Sequence, residues 1–313
     1  MQNKFKCSVF VFVSGLFLLS TVSVSAQLTA NFQTWLNANG YSSYDFNRGG
    51  NSYGGKADST ETVVNQPVIF IHGNSDSALG QSSALTGWNS SINYFASQGY
   101  KKSELYATTW GDANPFSAGS QYHSKPNLQK IRAFIQAVKA YTGASKVDIV
   151  THSMGVTLTR KAILGGSASD AANGGNYNLG ASLTASVDTF VGIAGANWGL
   201  VSCYQTGGAT PTCAATNGFY PGYAAGSPPY GLSNILYDLN YSGAHYEGDY
   251  VYSIWSTADE VIGYGDVVYY RYTSQIPGQN GEKRFSAYPY GHINSKDLTG
   301  YYQWRMVKFH ATN

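Results

Sequence analysis

Charge is scarce in this sequence. Lysine, arginine, aspartate and glutamate make up 12% of its 313 residues, 19 basic against 17 acidic. There is no basic excess and no run of one sign, which excludes a nucleic-acid-binding patch and an acidic interaction tail. Cysteine is also scarce, with Cys7, Cys203 and Cys213 the only three. The segment "CYQTGGATPTC" joining the last two offers no further ligand, so no metal site is read there. Long apolar runs are limited to "VFVFVSGLFLLSTVSV", Val9–Val24. That run is short for a membrane span, and no second one follows it.

What surrounds that run gives it a different meaning. Lys4 and Lys6 form a basic start, and "VSA" puts small residues at positions 24–26. The pattern is that of a secretory signal peptide, residues 1–26, cut after Ala26; an uncleaved anchor is the alternative. Removing Lys4 and Lys6 from the 19 basic residues leaves 17 against 17 acidic ones, a formally neutral mature chain. Cys7 leaves with the signal. Cys203 and Cys213 are then an even pair in a secreted chain, read as one disulfide closing a surface loop. The sequons at Asn89 and Asn240 permit N-glycosylation if the source is eukaryotic.

Residues 27–313 form a single domain in this reading. A lead-in, 27–66, holds a short helix in "ANFQTWLNANG" and a glycine-rich loop in "NRGGNSYGGKADST". A regular alternation follows. "PVIFIHG", "ELYATTW", "KVDIVTH", "VDTFVGIAGA" and "DYVYSIWST" read as five strands. Between the earlier ones lie helical patterns, such as Leu128, Ile131, Ile135 and Val138 on one face of "NLQKIRAFIQAVKAYTG". "LTGYYQWRMVKF" reads as a C-terminal helix. Strands alternating with helices predict an α/β fold with a mostly parallel sheet covered on both faces. Residues 197–248 lack periodicity, are rich in Gly, Pro and Tyr, and hold both mature cysteines. A structureless interval of that length is improbable inside a domain, so a cap or elaborated loop is expected over the C-terminal edge of the sheet.

The chemistry centres on "VDIVTHSMGV". Ser153 stands directly after an apolar strand and before a helix. A serine on such a sharp turn has its hydroxyl pushed out above the sheet, and the turn needs small neighbours two residues away on each side, the G-x-S-x-G pattern. Gly155 fits, whereas Thr151 is larger and β-branched. The alternative is a buried serine capping the helix. An upstream strand ends in "HGNSD", the position that supplies a second oxyanion donor. The expected donors are the backbone N–H groups of Met154 and Asn74, with Ser75 as the alternative to Asn74.

An exposed serine needs a base, and the base needs an orienting acid. The chain order Ser, acid, His selects Asp259 in "SIWSTADEVIG" and His292 in "YPYGHIN". Glu260 is the second candidate for the acid, followed by Asp266. His245 precedes Asp259, His310 lies at the frayed C-terminus, and His123 lies before the serine. His72 and His152 flank the site and are read as structural.

Together "PVIFIHGNSD", "ELYATTWGD", "VDIVTHSMGV", "GANWGL" and "STADEVI" resemble the secreted class 2 lipases, of nematode and bacterial type, in the α/β-hydrolase superfamily. The resemblance runs from about Gln66 to His292. It implies an α/β-hydrolase fold, Ser153 as nucleophile, Asp259 as acid and His292 as base, and hydrolysis of carboxylic esters of acyl lipids through an acyl-enzyme. It requires no metal and no organic cofactor. Two other readings stand beside this one. The first is a polyester depolymerase or short-chain esterase; the second is a non-catalytic secreted binding protein on the same fold. The aromatic residues in "NWGL", "NGFYPGY", "PPYG" and "LYDLNY" either face a lipid or polymer surface in transient contact or simply pack their loops.

Overall fold

Val68–Ile71 forms a strand with all four residues buried. Its side chains divide by parity, Val68 and Phe70 entering one core, Ile69 and Ile71 the other. A strand buried on both faces needs helices on both sides, and the rest of the chain supplies them. The computed structural model describes residues 27–243, 245–263 and 265–313. The stretch read as a signal peptide, residues 1–26, lies outside the described residues.

In chain order the first elements are β1 (Gln27–Leu28), α1 (Ala30–Ala38), β2 (Tyr53–Gly54), β3 (Val68–Ile71), α2 (Asn89–Ser97), β4 (Leu105–Ala107) and α3 (Lys125–Thr142). Next come β5 (Val147–His152), α4 (Met154–Leu164), β6 (Ser167–Asp170), β7 (Gly175–Asn178), β8 (Val187–Ile193), α5 (Ser202–Thr206) and α6 (Asn234–Tyr241). The chain closes with β9 (Tyr250–Ser256), β10 (Val267–Val268), β11 (Arg271–Tyr272), β12 (Gly281–Phe285), α7 (Asn294–Asp297) and α8 (Gly300–Phe309).

The main sheet runs β1-β2-β4-β3-β5-β8-β9-β12. Every neighbouring pair from β4 to β12 is parallel, and β2 pairs antiparallel with β4 through Tyr53 and Ala107. On one face α1, α3, α4 and α6 bury Phe32, Phe134, Leu158 and Leu236. On the other, α2 and α8 bury Ile92, Phe95 and Met306. This is the α/β-hydrolase architecture. The helix ends follow local chemistry: the Ser124 hydroxyl accepts from Asn127 N–H at the start of α3, and Gly143 (φ 71°) ends it in the left-handed region.

Several strands are absent from the sequence reading. The glycine-rich stretch expected to be a loop contains β2, which with β1 extends the sheet at one edge. The opposite edge is β12, "GEKRF", which has no apolar alternation to announce it. Its Glu282, Lys283 and Arg284 suit an edge strand, where charge discourages further pairing. The hairpin β6–β7 turns at Gly174 and Gly175, both at positive φ.

The interval 197–248 is built around α5 and α6 and carries the Cys203–Cys213 disulfide. It lies against α4, with Leu232, Ile235, Leu236 and Leu239 in the same core as Leu158. Polar anchors hold it as well. Buried Arg160 on α4 donates to Glu247 Oε1 (2.8 Å), Asn197 Oδ1 (2.9 Å), Asn240 Oδ1 (3.0 Å) and Leu239 O (2.8 Å). Lys161 reaches Asp238 at 2.5 Å. Asn240 Nδ2 also donates to Asn197 O at 2.7 Å, so the sequon nitrogen is engaged in the folded chain.

Candidate active site

Six buried residues of β5 deliver the chain to Ser153 at the C-terminal edge of the sheet. Ser153 has φ 52° and ψ −129°, backbone angles that L-residues rarely adopt. Such a conformation costs on the order of 1–3 kcal/mol and persists only where its surroundings enforce it. Here Ser153 N–H donates to Ile193 O at 2.8 Å, which ties the turn to the end of β8. Gly155 must be glycine: a Cβ there would sit 2.3 Å from His72 O. Thr151 is accommodated because it is still part of β5, with its hydroxyl donating to Val191 O at 3.0 Å.

Asp259 follows β9 and is buried at 1% exposure. Its Oδ1 accepts from the N–H groups of Val261 (2.9 Å) and Ile262 (2.8 Å). Those bonds leave Oδ2 aimed at His292 Nδ1, 2.8 Å away. On the far side of the ring, His292 Nε2 lies 3.0 Å from Ser153 Oγ. With Nδ1–H donating to Asp259, Nε2 is free to accept the Ser153 hydroxyl proton; the network assigns this tautomer. The structure therefore brings Ser153, His292 and Asp259 together in the order expected.

Glu260 does not face the imidazole. Its Oε2 accepts from the main-chain N–H of His292 at 3.0 Å. Asp266 is occupied by Ser274, accepting from its hydroxyl (2.6 Å) and its N–H (3.0 Å). Burial raises the Asp266 carboxyl to about 7.

The expected oxyanion donors sit where the β3 loop meets the turn. Gly73 packs so closely that a Cβ there would lie 2.8 Å from Ser153 Cβ. The Asn74 side chain is fixed by donating to Ala118 O at 2.9 Å and accepting from Ser75 Oγ at 3.0 Å. Met154 is the first residue of α4, where an N–H has no partner within the helix. Asp76 anchors the loop from below, accepting from Ser77 N–H and Gly87 N–H and standing 3.6 Å from the buried Lys296 ammonium. The sequence reading did not single out Asp76 or Lys296. An aspartate after "HGNS" was a visible signal, but a lysine 220 positions further along was not.

His72, His123 and His310 have their partners outside the Ser153–His292–Asp259 chain. His72 stacks on Trp110 at 5.1 Å, and its Nε2 accepts from Trp110 N–H at 3.0 Å. His123 bridges Asn217 O (2.9 Å) and Thr157 Oγ1 (2.8 Å). Burial lowers both to about 4, so both rings are neutral. His310 stacks on Tyr250. Among the described residues no group of three or more His, Cys, Asp or Glu side chains is arranged to hold a metal ion, and no helix is long and apolar enough to cross a membrane.

Comparison with known proteins bears on the family and the fold. The model of the family "Lipase (class 2)" matches residues 65–305. The mature form of a Bacillus licheniformis lipase is 13% identical, with a TM-score of 0.51 over 81% of this chain and 96% of that one. Its propeptide form is again 13% identical at a TM-score of 0.51, over 80% and 53%. Aspergillus fumigatus lipase B is 13% identical with a TM-score of 0.44, over 76% of this chain. This chain spans about half of that protein's length, 48%. At such identities the two likenesses with a TM-score of 0.51 establish the fold alone.

Proposed function

The chain belongs to the class 2 lipase family, and from that premise we propose that it is a secreted serine hydrolase of carboxylic esters, acyl lipids foremost. The observation that carries the reading is the hydrogen-bonded chain Ser153–His292–Asp259 on a strained turn. His292 Nε2 takes the Ser153 proton as Oγ attacks the ester carbonyl carbon. Asp259 holds the ring and stabilises its charged form. The amides of Met154 and Asn74, or Ser75 in its place, stabilise the oxyanion, each by ~3 kcal/mol. The imidazolium then returns its proton to the leaving alcohol, and Ser153 keeps the acyl group. Water repeats the sequence, with His292 again the base, and releases the acid. The residues need no metal or organic cofactor for these steps.

Exposed apolar side chains on the segments that carry the site residues support an acyl-ester surface as substrate. Phe116 is 98% exposed, on the turn whose Ala118 carbonyl holds Asn74. Tyr288 is 92% exposed, four residues before His292, and Val261 is 55% exposed, two after Asp259. On our reading these side chains meet a transient lipid surface. Secretion is supported by the N-terminal pattern and by the Cys203–Cys213 disulfide, which suits an oxidising compartment.

The test is release of p-nitrophenol from acyl esters of graded chain length by wild type and Ser153→Ala. Turnover that rises with chain length and vanishes in the variant is expected. Turnover confined to short acyl chains, or to polyester film, moves the substrate to the esterase or depolymerase reading. Ester turnover that survives in Ser153→Ala overturns the nucleophile.

A further inference from the structure

His152 is buried beside the base, yet the ester chemistry uses neither of its ring nitrogens. Its ring centre lies 4.6 Å from that of His292. Its Nε2 donates to the main-chain carbonyl of His292 at 3.1 Å. Its Nδ1 is buried and has no hydrogen-bond partner. Burial, with neighbouring His292 adding to it, holds the His152 pKa well below the usual histidine range. The ring is therefore neutral, and a neutral ring donating from Nε2 keeps its lone pair on Nδ1. An orphaned buried nitrogen is uncommon, and an apolar side chain would fill the same space without one. What the apolar side chain would lack is the N–H that reaches His292 O.

The other end of the same residue is held too. Glu260 Oε2 accepts from His292 N–H at 3.0 Å. Gly291 admits that carboxylate: a Cβ at 291 would lie 2.4 Å from Oε2 and 3.2 Å from Cδ. We propose that His152 and Glu260 are positioning residues that hold the peptide carbonyl and peptide N–H of His292, so that its ring stands between Asp259 and Ser153. The proposal rests on His292 being the general base. It gives the base an anchor that the side-chain bonds alone do not supply. Those bonds orient a ring whose Cα is already in place, and a misplacement of about 1 Å can cost on the order of 100-fold in rate. The two holds are unequal. His152 is 2% exposed, so water does not compete for its bond. Glu260 is exposed, and water can replace it at the His292 N–H. His152 carries the larger share.

The experiment compares variants that keep or remove each bond, measuring kcat and KM on a p-nitrophenyl ester. Active sites are counted by stoichiometric phosphonylation, so that unfolded protein does not lower kcat. His152→Phe keeps a ring and loses the donor; His152→Gln keeps an N–H. The phenylalanine variant is expected to lose roughly ten- to hundred-fold in kcat with little change in KM, and the glutamine variant to recover most of that loss. Glu260→Ala is expected to lose a few-fold, Glu260→Gln to recover it, and Gly291→Ala to match Glu260→Ala by displacing the carboxylate. Full turnover in His152→Phe, or no recovery in His152→Gln, overturns the role of His152. If His152→Phe does not fold, His152→Gln against His152→Ala makes the same comparison. Full turnover in both Glu260→Ala and Gly291→Ala overturns the role of Glu260. Failure of the base assignment looks different, because His292→Ala would then hydrolyse the ester whatever the His152 variants do.

Discussion

Asp259 Oδ2 accepts the Nδ1 proton of His292 at 2.8 Å, and the Asp259 carboxylate is fixed by two backbone N–H groups of its own loop. Glu260, its neighbour in sequence, is turned to the main chain of the same histidine. Asp259→Asn is therefore expected to lower kcat by about 10⁴-fold, because an amide in that place favours the wrong tautomer of the base. Glu260 is not placed to substitute. Steady-state kinetics check this, and near-full turnover in Asp259→Asn would remove it as the acid.

The turn at Ser153 depends on glycine on one side only. Gly155→Ala drives a methyl group toward His72 O, a backbone atom that cannot swing away. The expected cost is about 3 kcal/mol or more, with loss of activity. Thr151→Gly, which restores the usual pentapeptide, is expected to destabilise the protein by roughly 1–2 kcal/mol, since it removes the bond to Val191 O and loosens β5. Urea denaturation of both variants decides it, and a stabilised Thr151→Gly contradicts the account.

Arg160 ties the 197–248 segment to α4 through four side-chain hydrogen bonds. Arg160→Ala leaves the Glu247 carboxylate buried and unpaired, a loss of about 3–5 kcal/mol. Arg160→Met with Glu247→Leu removes both charges and is expected to recover much of it. If the single variant melts like wild type, the buried pair is not what anchors the segment.

Stability is expected to peak near pH 6.5. His72 and His123, both lowered to about 4 by burial, and His152, also lowered, contribute stability that is complete above the unfolded pKa of about 6.5 and lost as pH falls toward 4. Asp148 and Asp266, raised by burial to about 8 and about 7, contribute in the opposite sense, fully below about pH 4 and lost as pH rises through 7–8. Between pH 4 and 6.5 three histidines outweigh two aspartates, so stability rises by roughly 1.4 kcal/mol per pH unit. Above 6.5 the aspartates act and it falls, until Lys130, lowered to about 8 by burial, begins to oppose them. Denaturant midpoints measured from pH 4.5 to 8.5 test the shape; a flat profile would show that these groups are not held as described.

The sequence by itself determined the elements that carry their signal in their own residues. The apolar runs of β3, β5, β8 and β9, the helical spacing of α3 and the strand–serine–helix turn are local patterns, and the order Ser, acid, His followed from them. The edge strand β12 was not legible, because an edge position selects for charge rather than for apolar alternation. Neither was β2, whose two residues pair with Gln27 and Leu28 of β1 on one side and, through Tyr53, with Ala107 on the other. Tertiary structure alone decided between two adjacent carboxylates, turning Asp259 to the ring and Glu260 to the backbone of His292. It also joined His152 to a carbonyl 140 residues away and set Lys296 beneath the loop of Asp76. Periodicity records which face a residue buries. It holds no record of which distant atom a polar group will meet once the chain has closed around it, and that meeting is what sets the His292 ring between Asp259 and Ser153.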